Sequence, residues 1–398
     1  MMLSALQPIP PGVVNLADFE PHAQAAMSAS AWAYLSGGAA DEITLRANRH
    51  AWDSVKLQPR VLRDLSGGHT RVTLLGRELA HPFLLAPIAY QRLAHPDGEL
   101  AVAYAAAAQD TGLILSAQAN VTMEAVAQAM RADSASTSPT SPYAPNHPNK
   151  LSAPLWFQLY WRADEGFMQE LLQRIEAAGY EALVLTVDAP VHGARDRERR
   201  AGFVLPPDVR AVNLGGRKQA LELSPGQSQM FDGLMPRAAT WAQVDWLLAR
   251  SRLPLLLKGV SHPDDAREAQ RRGVAGLVVS NHGGRTLDSL PSTAELLPRV
   301  RAAVGPGYPL LVDGGIRRGT DVLKALALGA DAVLLGRPYV HALAAAGAHG
   351  VAQALRLLRD EFEIAMALCG CKTPAEVGPS TLWAAERWEG KSGQFPTK

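Results

Sequence analysis

Short apolar runs recur along this chain, and each ends in a polar or glycine-bearing turn. In order they are FLLAP (83–87), LILS (113–116), LWFQLY (155–160), ALVLTVD (182–188), PLLLKG (254–259), GLVVSNHGG (276–284), PLLVDGG (309–315) and AVLLGR (332–337). Between them lie amphipathic stretches such as GELAVAYAAAAQDTG (98–112), EGFMQELLQRIEAAG (165–179), HPDDAREAQRRG (262–273), TAELLPRVRAAVG (293–305) and GTDVLKALALG (319–329). Nearly continuous apolar runs are strands covered on both faces, and strands alternating with helices build a parallel sheet. Eight such units predict an α/β fold whose sheet closes on itself, a (β/α)8 TIM barrel. No G-x-G-x-x-G follows the first run, which argues against an open doubly wound sheet holding a dinucleotide.

With 398 residues, 47% of them apolar, the chain can bury a large core, and it is read as a single domain over 1–398. An N-terminal helical segment is expected over 1–60, the barrel over 83–340 and a C-terminal helical segment over 341–398. RVTLLGRELAHP (71–82) reads as a hairpin placed to plug the bottom of the barrel. A long insertion with weak structure, residues 190–253, follows the fourth strand; an active-site lid and a disordered surface insertion both fit it. The Ser/Pro-rich stretch 131–150 reads as a solvated loop.

A formal charge of +1 leaves no basic stripe for nucleic acid. The two cysteines, Cys369 and Cys371, build neither a disulfide framework nor a four-ligand zinc site, and they read as small residues at a helix end in a reducing compartment. No metal site is expected. The N-terminus lacks a charged region followed by a long apolar core, and no run of 18 apolar residues occurs, so the expectation is a cytoplasmic protein without a membrane partner.

In such barrels chemistry gathers at the C-terminal ends of the strands. Those ends carry Pro87, Ile88, Ala89, Ser116, Gln158, Tyr160, Thr186, Asp188, Lys258, Ser280, His282, Asp313, Gly336 and Arg337. Polar residues commonly end strands, but a full ring of them is hard to explain as structure alone. Gly314 and Gly315 let the backbone approach a ligand, Arg317 adds charge, and Gly336-Arg337 closes the eighth strand beside a short helix, the usual phosphate pocket of this architecture. A tight structural turn explains Gly314-Gly315 taken alone. The other strand ends suit the hydrogen-bonding edge of a flavin ring; Lys258 is read as its charged neighbour, with a Schiff base as the other possibility. His282 has an arginine three positions on, and an imidazole suits proton abstraction near neutrality. Asp188 suits an imidazolium partner, and Arg195 with Arg285 offers two planar forks for a carboxylate.

These residues resemble the FMN-dependent L-2-hydroxy acid oxidases and dehydrogenases, such as glycolate oxidase, lactate oxidase and mandelate dehydrogenase. The resemblance runs through YLSGGAADEITLRANR (34–49), APIAYQRLAHPDGE (86–99), FQLY (157–160), LTVDAP (185–190), FVLPP (203–207), LKGV (257–260), SNHGGRTLD (280–288), DGGIRRGTDVLKALALGA (313–330) and DEFEIAMALCGC (360–371). It implies FMN as cofactor, His282 as base, Asp188 as its partner, and Tyr34, Arg195 and Arg285 as carboxylate ligands. It further implies Tyr160 as a hydrogen-bond partner of the reacting hydroxyl and Lys258 as the flavin N1 partner. Pro87, Ile88, Ala89, Ser116, Gln158, Thr186, Ser280, Asp313, Gly314, Gly315, Arg317, Gly336 and Arg337 are the remaining expected FMN contacts. An assembly of four or eight copies is also implied.

Two departures limit the likeness to plant-type glycolate oxidases. Gln118 stands where they carry a tryptophan over the substrate, and 131–150 is longer than they need. Residues 208–235 lack the apolar segment of membrane-bound relatives. The expected activity is oxidation of an L-2-hydroxy acid, L-lactate first and glycolate or longer chains after it, with O2 reduced to H2O2. A dehydrogenase passing electrons to a quinone or other carrier, another FMN barrel of the isopentenyl diphosphate isomerase or inosine phosphate dehydrogenase type, and a non-catalytic flavin-binding barrel are the rival readings.

Overall fold

The computed structural model describes residues 4–132, 153–215 and 223–383. Ten strands occur among them: β1 (Val72–Leu74), β2 (Arg77–Leu79), β3 (Phe83–Leu85), β4 (Gly112–Ser116), β5 (Leu155–Leu159), β6 (Ala182–Thr186), β7 (Leu255–Val260), β8 (Gly276–Val279), β9 (Leu310–Val312) and β10 (Ala332–Leu335). β3 to β10 form a closed barrel of parallel neighbours, and β10 returns to pair with β3. All eight expected barrel strands are present and in order. The run at 276–284 extends past its strand, which ends at Val279, with the polar stretch that begins at Ser280.

Alternation along each strand sorts the core into two layers. Leu84, Ile114, Trp156, Val184, Leu256, Val278, Leu311 and Leu334 point into the barrel and pack together. Their neighbours Leu85, Leu113, Phe157, Leu185, Leu257, Leu277, Val312 and Leu335 pack outward against the helices. Two residues above the inner layer the same faces carry Ser116, Gln158, Thr186, Lys258, Ser280, Asp313 and Gly336. The polar ring at the strand ends is therefore the top layer of the barrel interior.

The antiparallel hairpin β1–β2 contributes Leu74 and Leu79 to the inner cluster, so it stoppers the bottom as expected. The N-terminal segment forms helices Phe19–Ala26, Ala29–Ser36 and Ile43–Ser54. The five expected barrel helices form at Glu99–Ala108, Glu165–Ala178, Pro263–Arg271, Thr293–Val304 and Gly319–Ala327.

Three features differ from the sequence reading. The 190–253 excursion is not uniformly weak in structure: it carries short helices and ends in the helix Trp241–Arg250, opened by a Thr240–Gln243 capping box. Met123–Ala132 is a further helix between β4 and β5. The helix after β10 is long, Arg337–Cys369, and is interrupted at Ala346 and Gly347, where φ of −155° and 58° breaks the helical path. Its buried final residue is Cys369, and Cys371 is also buried and free. Most of the stretch expected as a solvated loop at 131–150 lies outside the described residues. No helix among the described residues is long and apolar enough to cross a membrane.

Leu84 is fully buried in the inner layer. Leu84→Ala leaves a void there and should lower unfolding stability by about 2–5 kcal/mol in a denaturant titration of the holoprotein.

Candidate active site at the barrel mouth

A cavity of about 550 Å³ opens above the polar layer at the C-terminal ends of the strands. Strand register assembles its floor: Ser116 pairs with Gln158, and Thr186 with Lys258. The Ser116 hydroxyl donates to Gln158 Oε1 at 3.1 Å. Lys258 is buried, donates to Ser280 Oγ at 2.9 Å and forms an ion pair with Asp313 Oδ2 at 2.9 Å. Burial works to lower its pKa, but the charges of Asp313 and Asp188 outweigh it and hold the ammonium above its ordinary value. An amine that condenses with a carbonyl must first lose its proton, so this environment speaks against the Schiff-base reading of Lys258.

One side of the cavity is an anion cradle. Gly314 and Gly315 follow β9 with φ of 90° and 86°. A Cβ on Gly315 would lie 2.7 Å from Asn48 O and 2.9 Å from Trp52 Cδ1, so glycine is required for the N-terminal helix Ile43–Ser54 to pack this close. Trp52 Nε1 donates to Gly314 O at 2.7 Å, and the Arg49 guanidinium is held between Gly315 O and Asp321. Arg317 and Arg337 stand beside this turn. Arg337 donates to Gly283 O at 2.9 Å and Gly37 O at 2.8 Å, while Arg317 donates to Ile316 O. Burial lowers both guanidinium pKa values; for Arg337 the charges of Arg285 and Arg317 add to the effect. Neither forms an ion pair with a carboxylate among the described residues. Two buried cations at a glycine turn fit a phosphate.

The polar floor fits a ring carrying donors and acceptors on one edge. Gln158 Nε2, Asp313 Oδ1 and Arg337 Nε are buried without a partner among the described residues, and all three residues line the cavity. Unsatisfied buried polar atoms are uncommon, and their grouping here matches what a bound flavin mononucleotide would satisfy.

Facing the cradle is an acid-base pair. His282 Nδ1 lies 2.9 Å from Asp188 Oδ1, and its backbone N donates to Ser280 Oγ at 3.0 Å. That contact assigns the ring proton to Nδ1 and leaves Nε2 as an acceptor. Burial works to raise the Asp188 carboxyl, but its electrostatic interaction and hydrogen bond with His282, with Lys258 behind them, bring it below the ordinary carboxylate range. Asp188 reaches this position across Gly259, where a Cβ would lie 2.4 Å from the Asp188 side chain and the β7–β8 register shifts. His282 itself takes a left-handed φ of 55°, continued by Gly283 and Gly284, which turns the chain back over the mouth.

Beside that pair the two arginines converge. Arg195 Nη1 and Arg285 Nη2 share Glu198 Oε1 at 3.2 and 3.3 Å, and Arg285 Nη1 also donates to Gly37 O at 2.7 Å. Tyr34 stacks on Phe203 with ring centres 4.5 Å apart and lies 5.3 Å below the Arg285 guanidinium. Burial, and then the charge of Asp188, raise the Tyr160 phenol, so it stays protonated as a donor.

Every expected cofactor contact except Ser280 lines this cavity, as do Tyr34, Tyr160, Arg195, His282 and Arg285. Ser280 is 1% exposed and is covered by the Lys258 ammonium it accepts from, so it supports that lysine and does not form part of the wall. Asp188 likewise sits behind His282 and is not part of the wall. Sequence reasoning missed Glu198, because it belongs to the charged run DRERR, which resembles a solvated helix. It missed the Gly37 carbonyl because a backbone acceptor leaves no mark in residue type. It also missed His192, Trp161 and Arg237, all of which line the cavity.

Arg317→Met removes one cradle cation without leaving a carboxylate unpaired. FMN affinity, read by quenching of flavin fluorescence on titrating the apoprotein, should fall about 10–100-fold, while apoprotein thermal stability stays within about 1 kcal/mol of the parent.

The comparisons with known proteins agree with this geometry. Residues 23–384 match the model of the family described as FMN-dependent dehydrogenase. An L-lactate oxidase from Alicycliphilus denitrificans is 47% identical over 377 residues, covering 94% of this chain and 97% of that protein. Glycolate oxidase 1 from Zea mays is 41% identical and covers 92% of this chain and 94% of its own length. Among solved structures, a mandelate oxidase with (S)-2-phenylpropionate superposes with a TM-score of 0.79 at 42% identity, covering 93% of this chain and 98% of that one. With its closed barrel, its phosphate cradle and its unsatisfied flavin-facing edge, this chain belongs to the FMN-dependent dehydrogenase family, and FMN is its cofactor.

Proposed function

We propose that the protein oxidises an L-2-hydroxy acid, L-lactate first among them, to the 2-oxo acid, with O2 as electron acceptor and H2O2 as the second product. The observation that carries this reading is one cavity holding both a carboxylate clamp and a base. Arg195 and Arg285 present two forks, Tyr34 flanks them, and His282 stands alongside with Asp188 behind it. The proposed family activity also suits the relatives, which include L-lactate oxidases, a glycolate oxidase and a 4-hydroxymandelate oxidase.

Oxidation removes two electrons and two protons from the C2 carbinol. FMN, when bound, would supply the two-electron acceptor chemistry that links the acid to O2. The chain's own groups hold the acid and manage its protons. The two guanidiniums bind the carboxylate and fix the orientation of C2. His282 Nε2 takes a proton from the substrate, and the ionised Asp188 stabilises the resulting imidazolium through Nδ1. Tyr160 donates to the substrate oxygen. Lys258, fixed as an ammonium by Asp313, faces negative charge developing on the bound cofactor.

Solution assembly into four or eight copies is part of the same proposal. Gln118 lines the cavity where plant-type glycolate oxidases carry a tryptophan, and the choice of a small aliphatic acid rests on that replacement.

His282→Gln should remain yellow and bind a 2-oxo acid, yet bleach about 10²–10⁴-fold more slowly with L-lactate under anaerobic conditions. Unimpaired bleaching would remove His282 from its role. A kcat/KM panel over L-lactate, glycolate, L-2-hydroxyoctanoate and L-mandelate should rank lactate first, and a wide margin for mandelate overturns that choice. Stoichiometric peroxide per acid oxidised supports O2 as acceptor; dye or quinone reduction without peroxide supports a dehydrogenase.

A further inference from the structure

His192 stands between the β6 loop and the carboxylate clamp. Its imidazole lines the cavity, is exposed to it, and makes no hydrogen bond or ion pair with the described residues. The backbone that carries it is fixed on both sides. Gly193 presses so closely on the Thr286 carbonyl that a Cβ would not fit, and Ala194 O accepts from Ala40 N at 2.7 Å. Arg195 is tied to Glu198 one turn later. A ring without a partner among the described residues, on a closely packed backbone, keeps its hydrogen-bonding groups available to a ligand in the cavity.

Its neighbours set its form. The titratable groups facing it are Arg195, Arg285 and His282, with Glu198 opposing the two arginines. Burial and then Arg195 lower its pKa below the ordinary imidazole value, so near neutrality it is uncharged, with one N–H to donate and one nitrogen to accept. It therefore adds hydrogen-bonding capacity beside the clamp without adding a third cation. The Gln118 side chain, likewise without a hydrogen bond to the described residues, contributes a second polar group to the cavity, whose other walls include Ala89, Trp161, Leu214 and Leu234.

We infer that His192 is a specificity-determining residue that hydrogen-bonds an oxygen on C3 of the substrate, so that the site favours 2-hydroxy acids bearing a C3 hydroxyl over alkyl acids of the same size. This inference rests on the reading of the cavity as a 2-hydroxy acid site. An alkyl group placed against the ring strips its water and returns no hydrogen bond, whereas a hydroxyl replaces that water. L-Lactate, whose methyl is too short to cover the ring, leaves its hydration intact and is affected least.

The test compares L-glycerate with L-2-hydroxybutyrate, which differ in a terminal hydroxyl against a methyl, using the holoenzyme and its His192→Leu and His192→Asn variants. The expected result is a glycerate-to-hydroxybutyrate ratio of kcat/KM that falls about tenfold in His192→Leu and is largely kept in His192→Asn, with L-lactate kcat/KM within about threefold throughout. An unchanged ratio in His192→Leu overturns the inference while leaving the activity intact. Should His192→Leu not hold flavin, the ratio of Kd values for 3-hydroxypyruvate and 2-oxobutyrate in the parent and His192→Asn decides, and a ratio near one in the parent overturns the inference. Failure of the parent to oxidise any of the three acids overturns the site reading itself.

Discussion

Buried positive charge is the constraint around which this molecule is organised. Lys258, Arg285, Arg317 and Arg337 lie in or around one mouth, and three of them are guanidiniums whose pKa is lowered by burial. An unpaired charge in a protein interior is expensive, so each has to be answered by an anion, a carbonyl or a ligand. Asp313 answers Lys258, Glu198 answers Arg285 and Arg195, and backbone carbonyls of Gly37, Gly283 and Ile316 take part of the rest. What remains uncompensated is aimed at the cavity. In the proposed function, a phosphate on one side and a substrate carboxylate on the other would complete the balance that the chain leaves open.

That balance ties the two halves of the site together. The Gly37 carbonyl accepts from Arg285 in the substrate clamp and from Arg337 in the phosphate cradle, so one backbone oxygen spans both. Lys258 plays the equivalent role below, bonded to Asp313 and felt electrostatically by Asp188, which in turn holds His282. Cofactor and substrate positions are thus not independent properties of separate loops. Moving either arginine repositions a shared acceptor.

Strand periodicity explains how much of this was legible in the residues alone. A period of two carries each apolar inner position up to a polar one: Trp156 to Gln158, Leu256 to Lys258, Leu311 to Asp313. Reading strand ends therefore recovered the floor, and the glycines after β9 marked the cradle. The bottom plug was legible as well, since β1–β2 is a hairpin with apolar residues on its barrel face. The illegible parts depend on what faces what across long separations. Ser280 has the right type and parity but is covered by Lys258, which only packing decides. Glu198 sits in a charged run that looks solvated, and Gly37 acts through its backbone. The helix Trp241–Arg250 was hidden because it follows a long irregular stretch, and its start is marked only by the Thr240 cap.

The N-terminal segment completes the mouth, and that fact has a consequence in time. Tyr34 and Gly37 precede the barrel, whereas their partner Arg337 lies about three hundred residues later and Arg285 follows the sixth barrel strand. Ser36 bonds His341 in the final long helix, and β3 must wait for β10 before its open side is paired. During synthesis the first barrel strand is therefore an exposed edge, and the segment meant to close the mouth has no surface to dock on. The active site therefore assembles only once the segments carrying Arg285, Arg337 and His341 have been made, and until then the helices that close the mouth lack their docking surface.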